Sequence, residues 1–520
     1  MAKSVRGKKW LPAVLAFILT LLVLVSNLNN DTDWGDDNAA YITQGIALAE
    51  GRLDEQAHLN PFLHPTPLPK EADGTLIYAM GYPVILSLVY RLAGFDRETF
   101  STLFLYKLPS VLAMAGCAAI LYVFYRRRLP AWLSFLFSVL FCINPLMLNL
   151  VDSMYSDSVF LFFLLLSFNM TEAFLDAFEE EKAGKAVFLG ILLGLSMGMV
   201  AYVRLSGFAY CIAIALMCLL RLRKTPPRGR RVLTALLPWV VLAVFMLIFN
   251  GLLFPKATSN LSDYSQTSLR MILSNIWHYA STTIGWLSKL FGQWIPRPVR
   301  LIIGGIAAVF FLLGLWTASR KEIPYFFFLA GTYIGVILLP YTQGLRYCYP
   351  VLHIILLYVG YGLLALGERL QKRETRSCSV LKCACLVCVW ILFAVNVATS
   401  CSGSFFGMLR GEGPPVREEP SPFSVECTEM YRYIREKIPG ECEVTFYKPR
   451  LLYLVTQRMS FKMGVNGHEL SQADYYLKRT DITVDEETPE LLKFDGSLRE
   501  LYSSGCLTLY SVDDGVKPDA

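Results

Sequence analysis

The feature that most constrains this chain is a succession of apolar runs, separated by short basic clusters. They fall at 10–25 and then at roughly 103–125, 130–150, 158–175, 186–203, 205–220, 232–254, 301–318, 324–341, 350–367 and 380–398. About 20 apolar residues at a rise of about 1.5 Å each cross the ~30 Å hydrocarbon core of a bilayer. Eleven such runs therefore predict a polytopic helical membrane protein. Composition agrees, since 54% of residues are hydrophobic and 17% charged, whereas soluble domains carry about a quarter charged. Only Arg204 divides the 186–220 stretch into two spans. The basic clusters are short and lie between spans, which excludes nucleic acid as a partner.

Charge placement predicts the orientation. Lys3, Arg6, Lys8 and Lys9 precede the first run, and no small-x-small cleavage site follows it, so it reads as an uncleaved span with a cytoplasmic N-terminus. Arg126-Arg127-Arg128, the cluster Arg221 to Arg231, Arg320-Lys321 and Arg369 to Arg376 then all fall on the cytoplasmic side of an eleven-span count. An odd count puts the C-terminus outside. The predicted organisation is a membrane unit over 1–400 with a long first external loop at 28–102, followed by a small extracytoplasmic α/β domain over 401–520. In that domain 427–437 has a helix pattern and 443–447 and 506–511 have strand patterns, after a linker marked by Pro414, Pro415 and Pro420.

The first external loop carries the chain's most suggestive stretch, Trp34 to Gly51. Asp36 and Asp37 open a predicted helix that starts near Asn38, runs to Glu50 and stops at Gly51. Tyr41 lies four residues after Asp37, on the same helical face, with Gly45 one turn on. One Asp at such a place caps a helix; of two in a row, one is left to face outward. Further along, 60–69 is too proline-rich for helix, and 82–93 predicts a short helix along the membrane surface.

Three other polar groups fall at outer span boundaries: Asp157 at the start of the fourth span, Arg204 between the fifth and sixth, and Arg346 between the ninth and tenth. Singly, an Asp there caps a helix and an Arg snorkels to headgroups. Their common depth predicts one external pocket at the lipid edge. Two arginines suit a phosphate, and a carboxylate suits removal of a hydroxyl proton. The 13 cysteines lie mostly in spans, and Cys383, Cys385 and Cys388 read as ordinary packing residues. Cys401, Cys427, Cys442 and Cys506 are external and allow three disulfide pairings. The five histidines show no ligand spacing, so no metal site is expected.

The segment Asp36-Asp37-Asn-Ala-Ala-Tyr41 with Gly51, followed by Tyr78-Ala-Met-Gly-Tyr82-Pro83 and its apolar helix, resembles the first external loop of GT-C glycosyltransferases. The similarity is greatest to glycosyltransferase family 39, which includes protein O-mannosyltransferases and the lipid A aminoarabinose transferase. Asp157 before a Phe/Leu-rich span, Arg346-Tyr347 before Pro350, and Tyr447-Lys-Pro-Arg450 with Arg458 also match that pattern. The resemblance spans nearly the whole chain through short motifs. It implies transfer of a sugar, with inversion and no metal, from a polyprenyl-phosphate carrier to an acceptor hydroxyl on a protein, lipid or cell-wall polymer at the outer membrane face. It maps Asp37 onto the catalytic acidic residue, with Asp36 adjacent. Asp157, Tyr41, Tyr82 and Tyr347 fall among the substrate-binding positions. Arg204 and Arg346 would hold the carrier phosphate. Where several relatives have a basic residue with Pro-Pro, this chain has Tyr78-Ala79-Met80, which shifts one phosphate contact to Lys70 or Arg204.

Two other classes compete. A transporter or lipid flippase would account for the spans and membrane arginines but not for the long acidic external loop, and no inverted repeat is visible. A non-catalytic envelope scaffold would place function in the 401–520 domain.

Overall fold

The computed structural model describes residues 10–63, 74–223, 229–257, 268–318, 345–371, 376–410, 421–464, 469–481 and 496–513. From the N-terminus these form α1 (Leu11–Ser26), α2 (Asp36–Glu50), α3 (Leu53–Leu63), α4 (Gly81–Ala93), α5 (Leu103–Arg126), α6 (Ala131–Cys142) and α7 (Pro145–Asp152). Then come α8 (Asp157–Glu179), α9 (Ala183–Val203), α10 (Gly207–Leu222) and α11 (Arg230–Met246), which runs on as a π-helix over Leu247–Leu253. Next follow α12 (Leu269–Ser288), α13 (Arg297–Thr317), a 3-10 turn at Leu345–Tyr347, α14 (Tyr349–Gln371), α15 (Arg376–Thr399) and α16 (Ser404–Leu409).

Among the described residues seven helices are long and apolar enough to cross a membrane, with an eighth if α6 and α7, bent by 47°, count as one span. Asn144, at that bend, caps α7 by accepting from the Leu146 N–H, and Pro145 begins the new helix. α1 and α10 are apolar but only 16 residues each. The expected span at 324–341 lies outside the described residues. α12 was not anticipated: His278, Ser281, Thr282 and Thr283 interrupt its apolar face, so no continuous run marks it.

α5 is the central post, packing on α1, α6 and α8; α8 then packs on α9, and α9 on α11. One end of this bundle gathers the basic clusters. Arg127 and Arg128 pair with Glu172, Arg221 with Asp176 and Glu179, and Arg231 with Glu181. The acidic last turns of α8, with Glu181 just beyond them, are thus the counter-charge to the basic turns beside them. Asp157, Arg204 and the start of α5 lie at the opposite ends of the same helices, because α5, α8 and α9 each run end to end.

At that second end sit the loop helices. α2 begins with Asp36 and Asp37 in its first turn, and its N-cap is Gly35, with no side-chain cap. Neither aspartate therefore caps the helix, contrary to the simplest sequence reading; both are free to turn elsewhere while favouring the helix N-terminus electrostatically. Gly51, at φ 75°, closes α2 as expected. α3 continues through Pro61 to Leu63, where the proline content of 60–69 had argued against helix; residues 64–73 are outside the description. α4 wedges against α2, and its first residue, Gly81, abuts the Tyr202–Val203 backbone of α9, where any Cβ would come within 2.8 Å. Glycine at 81 is what lets α4 reach α9.

The loop before α2 is anchored from beneath. Lys107, fully buried in α5, donates to Asn29 (2.7 Å), to the Asp31 carbonyl and to Asp152 (2.5 Å). A buried ammonium without such partners would be costly, so this lysine fixes the loop's height over the bundle.

Beyond α16 the chain forms α17 (Val425–Lys437), β1 (Glu443–Thr445), α18 (Pro449–Thr456), β2 (Met459–Phe461), β3 (Tyr475–Arg479), β4 (Ser497–Ser504) and β5 (Leu507–Asp513). The sheet order is β2-β1-β3-β5-β4, parallel at β2-β1-β3 and antiparallel at β3-β5-β4. Of Cys401, Cys427, Cys442 and Cys506, Cys427 and Cys506 come together, with sulfurs 3.7 Å apart and both buried; Cys401 is exposed and Cys442 half-buried.

This C-terminal unit sits directly on the α2 loop. Arg479 stacks 4.3 Å over the Trp34 ring, Phe423 packs on Phe100 at 4.6 Å, and Ser421 hydrogen-bonds Asp31.

Candidate active site

Asp37 is the focus. Its side chain is 23% exposed, against 6% for Asp36. Arg346, from the 3-10 turn before α14, donates through Nη1 to Asp37 Oδ2 at 2.8 Å. The Tyr78 hydroxyl donates to Oδ1, and Arg450 Nη1 lies 3.5 Å from the same oxygen. Burial pushes the Asp37 carboxyl up; the Arg346 charge, then Arg450 and the Tyr78 bond, override it and hold the group down at about 2. Asp37 is therefore an anion across the physiological range.

Asp36 points the other way, into the seam with the C-terminal unit. It accepts from the Leu451 N–H at the start of α18 (3.2 Å) and lies 3.6 Å from Arg450 Nε. Burial dominates here and raises its carboxyl to about 6 despite the nearby Arg450 and Lys448 charges. Two neighbouring carboxyls are thus split by environment, one part-exposed as an anion and one sealed into an interface.

A second ion pair lies beside the first. Asp157, the first residue of α8, meets Arg204, in the extended break between α9 and α10, at 2.7 Å. The other oxygen of Asp157 is buried with no hydrogen-bond partner among the described residues. A buried acceptor without a donor is costly, and a ligand hydroxyl would satisfy it. Tyr347 lies under both arginines, its ring centre 5.8 Å from the Arg204 guanidinium and 5.5 Å from that of Arg346, which also faces Tyr155 at 5.0 Å.

Tyr41 and Tyr82 line the inner side. Tyr41 packs on Tyr78 with centroids 4.4 Å apart and bonds Ser156 at 2.9 Å; Tyr82 meets it edge-on at 5.2 Å and bonds Ser110 at 3.1 Å. The structure thus gathers Asp36, Asp37, Tyr41, Tyr82, Asp157, Arg204, Arg346 and Tyr347 into one place. Lys70 lies outside the described residues. Four contributors went unassigned in the sequence: Arg450, Tyr78, Tyr155 and Asp33, the last accepting from Ser153 (2.9 Å) and the Gly35 N–H (3.0 Å). Tyr78 and Arg450 stood in the sequence only as members of short motifs, with no part given to them, and Tyr155 and Asp33 left no signal. No His, Cys, Asp and Glu cluster able to hold a metal occurs among the described residues.

No family model matches the sequence, and no curated protein does either. Solved structures do match it. The Cupriavidus metallidurans ArnT bound to undecaprenyl phosphate superposes with a TM-score of 0.54, covering 96% of this chain and 97% of its own at 11% identity. The Archaeoglobus fulgidus oligosaccharyltransferase AglB, in complex with an inhibitory peptide and a dolichol-phosphate, gives 0.59, covering 99% of this chain and 75% of its own at 10% identity. Both are membrane glycosyltransferases. The fold is GT-C. In a GT-C frame the clustered charges occupy one end of the helical bundle, beneath a separate C-terminal unit. The likeness, at these identities, is one of architecture.

Proposed function

We propose that the protein is an integral membrane glycosyltransferase that moves a sugar, a hexosyl or pentosyl unit, from a polyprenyl-phosphate carrier to an acceptor hydroxyl at the outer membrane face. The observation that carries this reading is the pair of carboxylate–arginine bridges, Asp37–Arg346 and Asp157–Arg204, brought by four separate elements to one end of the bundle. The architecture shared with a carrier-bound transferase supports it.

Arg346 and Arg204 would bind the carrier phosphate. Each has a carboxylate partner beforehand, so its charge stays compensated in the low-dielectric site until an anion arrives. A phosphate that draws Arg346 away would relieve Asp37 of its strongest neighbouring charge and raise its basicity. Asp157, through its unpartnered oxygen, would take a hydrogen bond from the acceptor and orient it. Tyr41, Tyr82 and Tyr347 would shape the sugar pocket, and Lys70 would supply a further phosphate contact.

In the transfer, the acceptor oxygen bonds to the anomeric carbon from the face opposite the phosphate. The bond from that carbon to the phosphate oxygen breaks, its electron pair remaining on the polyprenyl phosphate. The acceptor proton passes to Asp37 and then to solvent. A hydroxyl becomes strongly acidic only as its oxygen bonds to carbon, so a carboxylate of low basicity suffices when held in place. In this reading the N-terminus is cytoplasmic, 401–520 is an extracytoplasmic domain, and the acceptor is a protein, lipid or cell-wall polymer.

The test is incorporation of radiolabelled sugar from a polyprenyl-phosphate donor into the envelope fraction of membranes carrying the protein. Incorporation above that of membranes carrying Asp37→Asn is expected. Equal incorporation by the two would overturn the reading.

A further inference from the structure

The residue that the preceding reading leaves without a part is Arg450. It is 3% exposed and sits in the seam between the C-terminal unit and the loop helices. Its Nε donates to the Leu63 carbonyl at 3.2 Å and lies 3.6 Å from Asp36 Oδ2. Its Nη1 donates to the Tyr78 hydroxyl at 3.2 Å and lies 3.5 Å from Asp37 Oδ1. One guanidinium therefore spans both members of the aspartate pair and the tyrosine that bonds the outer one.

We propose that Arg450 is a positioning residue of the transfer site: from the C-terminal unit it locks Asp36 inward and Asp37 outward, so that this unit is a working part of the active centre. The proposal rests on the glycosyltransferase reading above and deepens it.

The helix that carries Arg450 is locked at both ends. Pro449 starts α18, where a missing N–H costs nothing. The Leu451 N–H points at Asp36, so the positive end of the helix meets the buried carboxyl. At the other end the Leu454 carbonyl accepts from Arg97 (3.1 Å) and the Val455 carbonyl from Arg435 (3.0 Å). Arg458, just beyond, donates to the Ile438 and Arg435 carbonyls at 2.9 and 2.8 Å. An eight-residue helix held this way cannot slide, so the guanidinium it carries is fixed relative to the carboxyls.

This fixity separates Arg450 from Arg346. Arg346 is 29% exposed, sits in a three-residue turn and can turn toward a carrier phosphate. Arg450 is buried beside the Tyr78 ring and bound to a main-chain carbonyl, which leaves it no freedom to turn toward a phosphate. When Arg346 engages the carrier, Arg450 is the cation that stays with Asp37. Without it, two adjacent carboxyls in a dry seam would favour sharing a proton, and Asp37 would lose both its orientation and part of its charge.

The test uses the full-length protein in lipid nanodiscs, as wild type, Arg450→Lys and Arg450→Gln, with thermal stability recorded for each. In the Gln variant kcat should fall on the order of 10²-fold with little change in KM for the carrier sugar. The acid limb of its pH profile should move upward, and Lys should restore part of both. A second readout needs no turnover: carbodiimide labels protonated carboxyls, and mass spectrometry locates the label. With polyprenyl phosphate present to engage Arg346, Asp37 should resist labelling at about pH 5 in the wild type and become reactive in the Gln variant. Unchanged Asp37 labelling, or a Gln variant with wild-type kcat and pH profile, would overturn the proposal. So would a loss of rate that tracks thermal stability and that Lys does not restore. If the wild type moved no sugar yet the labelling shift appeared, the coupling would stand and the glycosyltransferase reading would fall.

Discussion

Replacing Asp37 by Asn separates chemistry from architecture at one atom. Because Gly35 is the N-cap of α2, the substitution removes no cap, and the amide oxygen can still accept from Tyr78. What is lost is the charge facing Arg346. That pair is 29% and 23% exposed, between the exposed case, worth up to about 1 kcal/mol, and the buried case of about 3–5 kcal/mol. A stability loss of about 1–2 kcal/mol follows, too little to unfold a bundle of this size. Loss of a general base costs roughly 10²–10⁴-fold in rate, or about 3–5 kcal/mol of barrier. Arg346, freed of its partner, should bind the carrier phosphate as well as before or more tightly. The assay is steady-state transfer from a radiolabelled polyprenyl-phosphate sugar, beside carrier binding to the same preparation. Turnover retained within about threefold of wild type, with binding intact, would refute the role given to Asp37.

Arg346→Ala should weaken carrier binding more than Arg346→Lys, because lysine keeps the charge and loses the two-pronged contact; equal, negligible losses would leave the arginine a structural partner of Asp37. Asp36→Asn should alter the pH dependence of stability. With its carboxyl raised to about 6 by burial, Asp36 stabilises the fold most below the ordinary carboxylate range, and that contribution is lost as pH rises through 6. Asp37, held at about 2, acts oppositely, and its contribution is already complete above about pH 4. The melting temperature of Asp36→Asn relative to wild type should therefore climb between about pH 4 and 6.5, and a flat difference would count against the buried assignment. In intact cells, an impermeant thiol reagent should reach cysteine placed at exposed Arg410 or His58 and not at exposed Glu180 or Arg223; labelling of the latter pair would reverse the orientation.

Eight of the eleven expected spans, counting the bent α6–α7 pair as one, are long apolar helices among the described residues, and they were legible because a bilayer imposes length and apolarity on each segment by itself. Asp37, Asp157, Arg204 and Arg346 were legible for a related reason: a charge at a span boundary stands out against its apolar neighbours. α3 and α12 were hidden, one behind Pro61 and the other behind a mixed face that has no simple period. The partners were hidden too. Nothing local to Asp157 indicates that its counter-ion is Arg204, 47 residues along a different pair of helices. Least visible was the seam. Asp36 and Arg450 are separated by most of the chain and meet only because Trp34, Phe100 and Asp31 dock the C-terminal unit onto the loop. A helix cap is a local property and was the natural reading for Asp36; an interdomain bond is not local, and only the folded chain displays it.

The most direct test of the central claim is the fate of the carrier. Purified protein in liposomes would be given a doubly labelled polyprenyl-phosphate sugar and an envelope extract as acceptor, and both products counted. Group transfer through this site predicts one free polyprenyl phosphate for each sugar joined to acceptor, with neither product formed by Asp37→Asn. Movement of intact carrier across the bilayer, with the sugar still attached and no free polyprenyl phosphate, would contradict it and make the protein a lipid transporter.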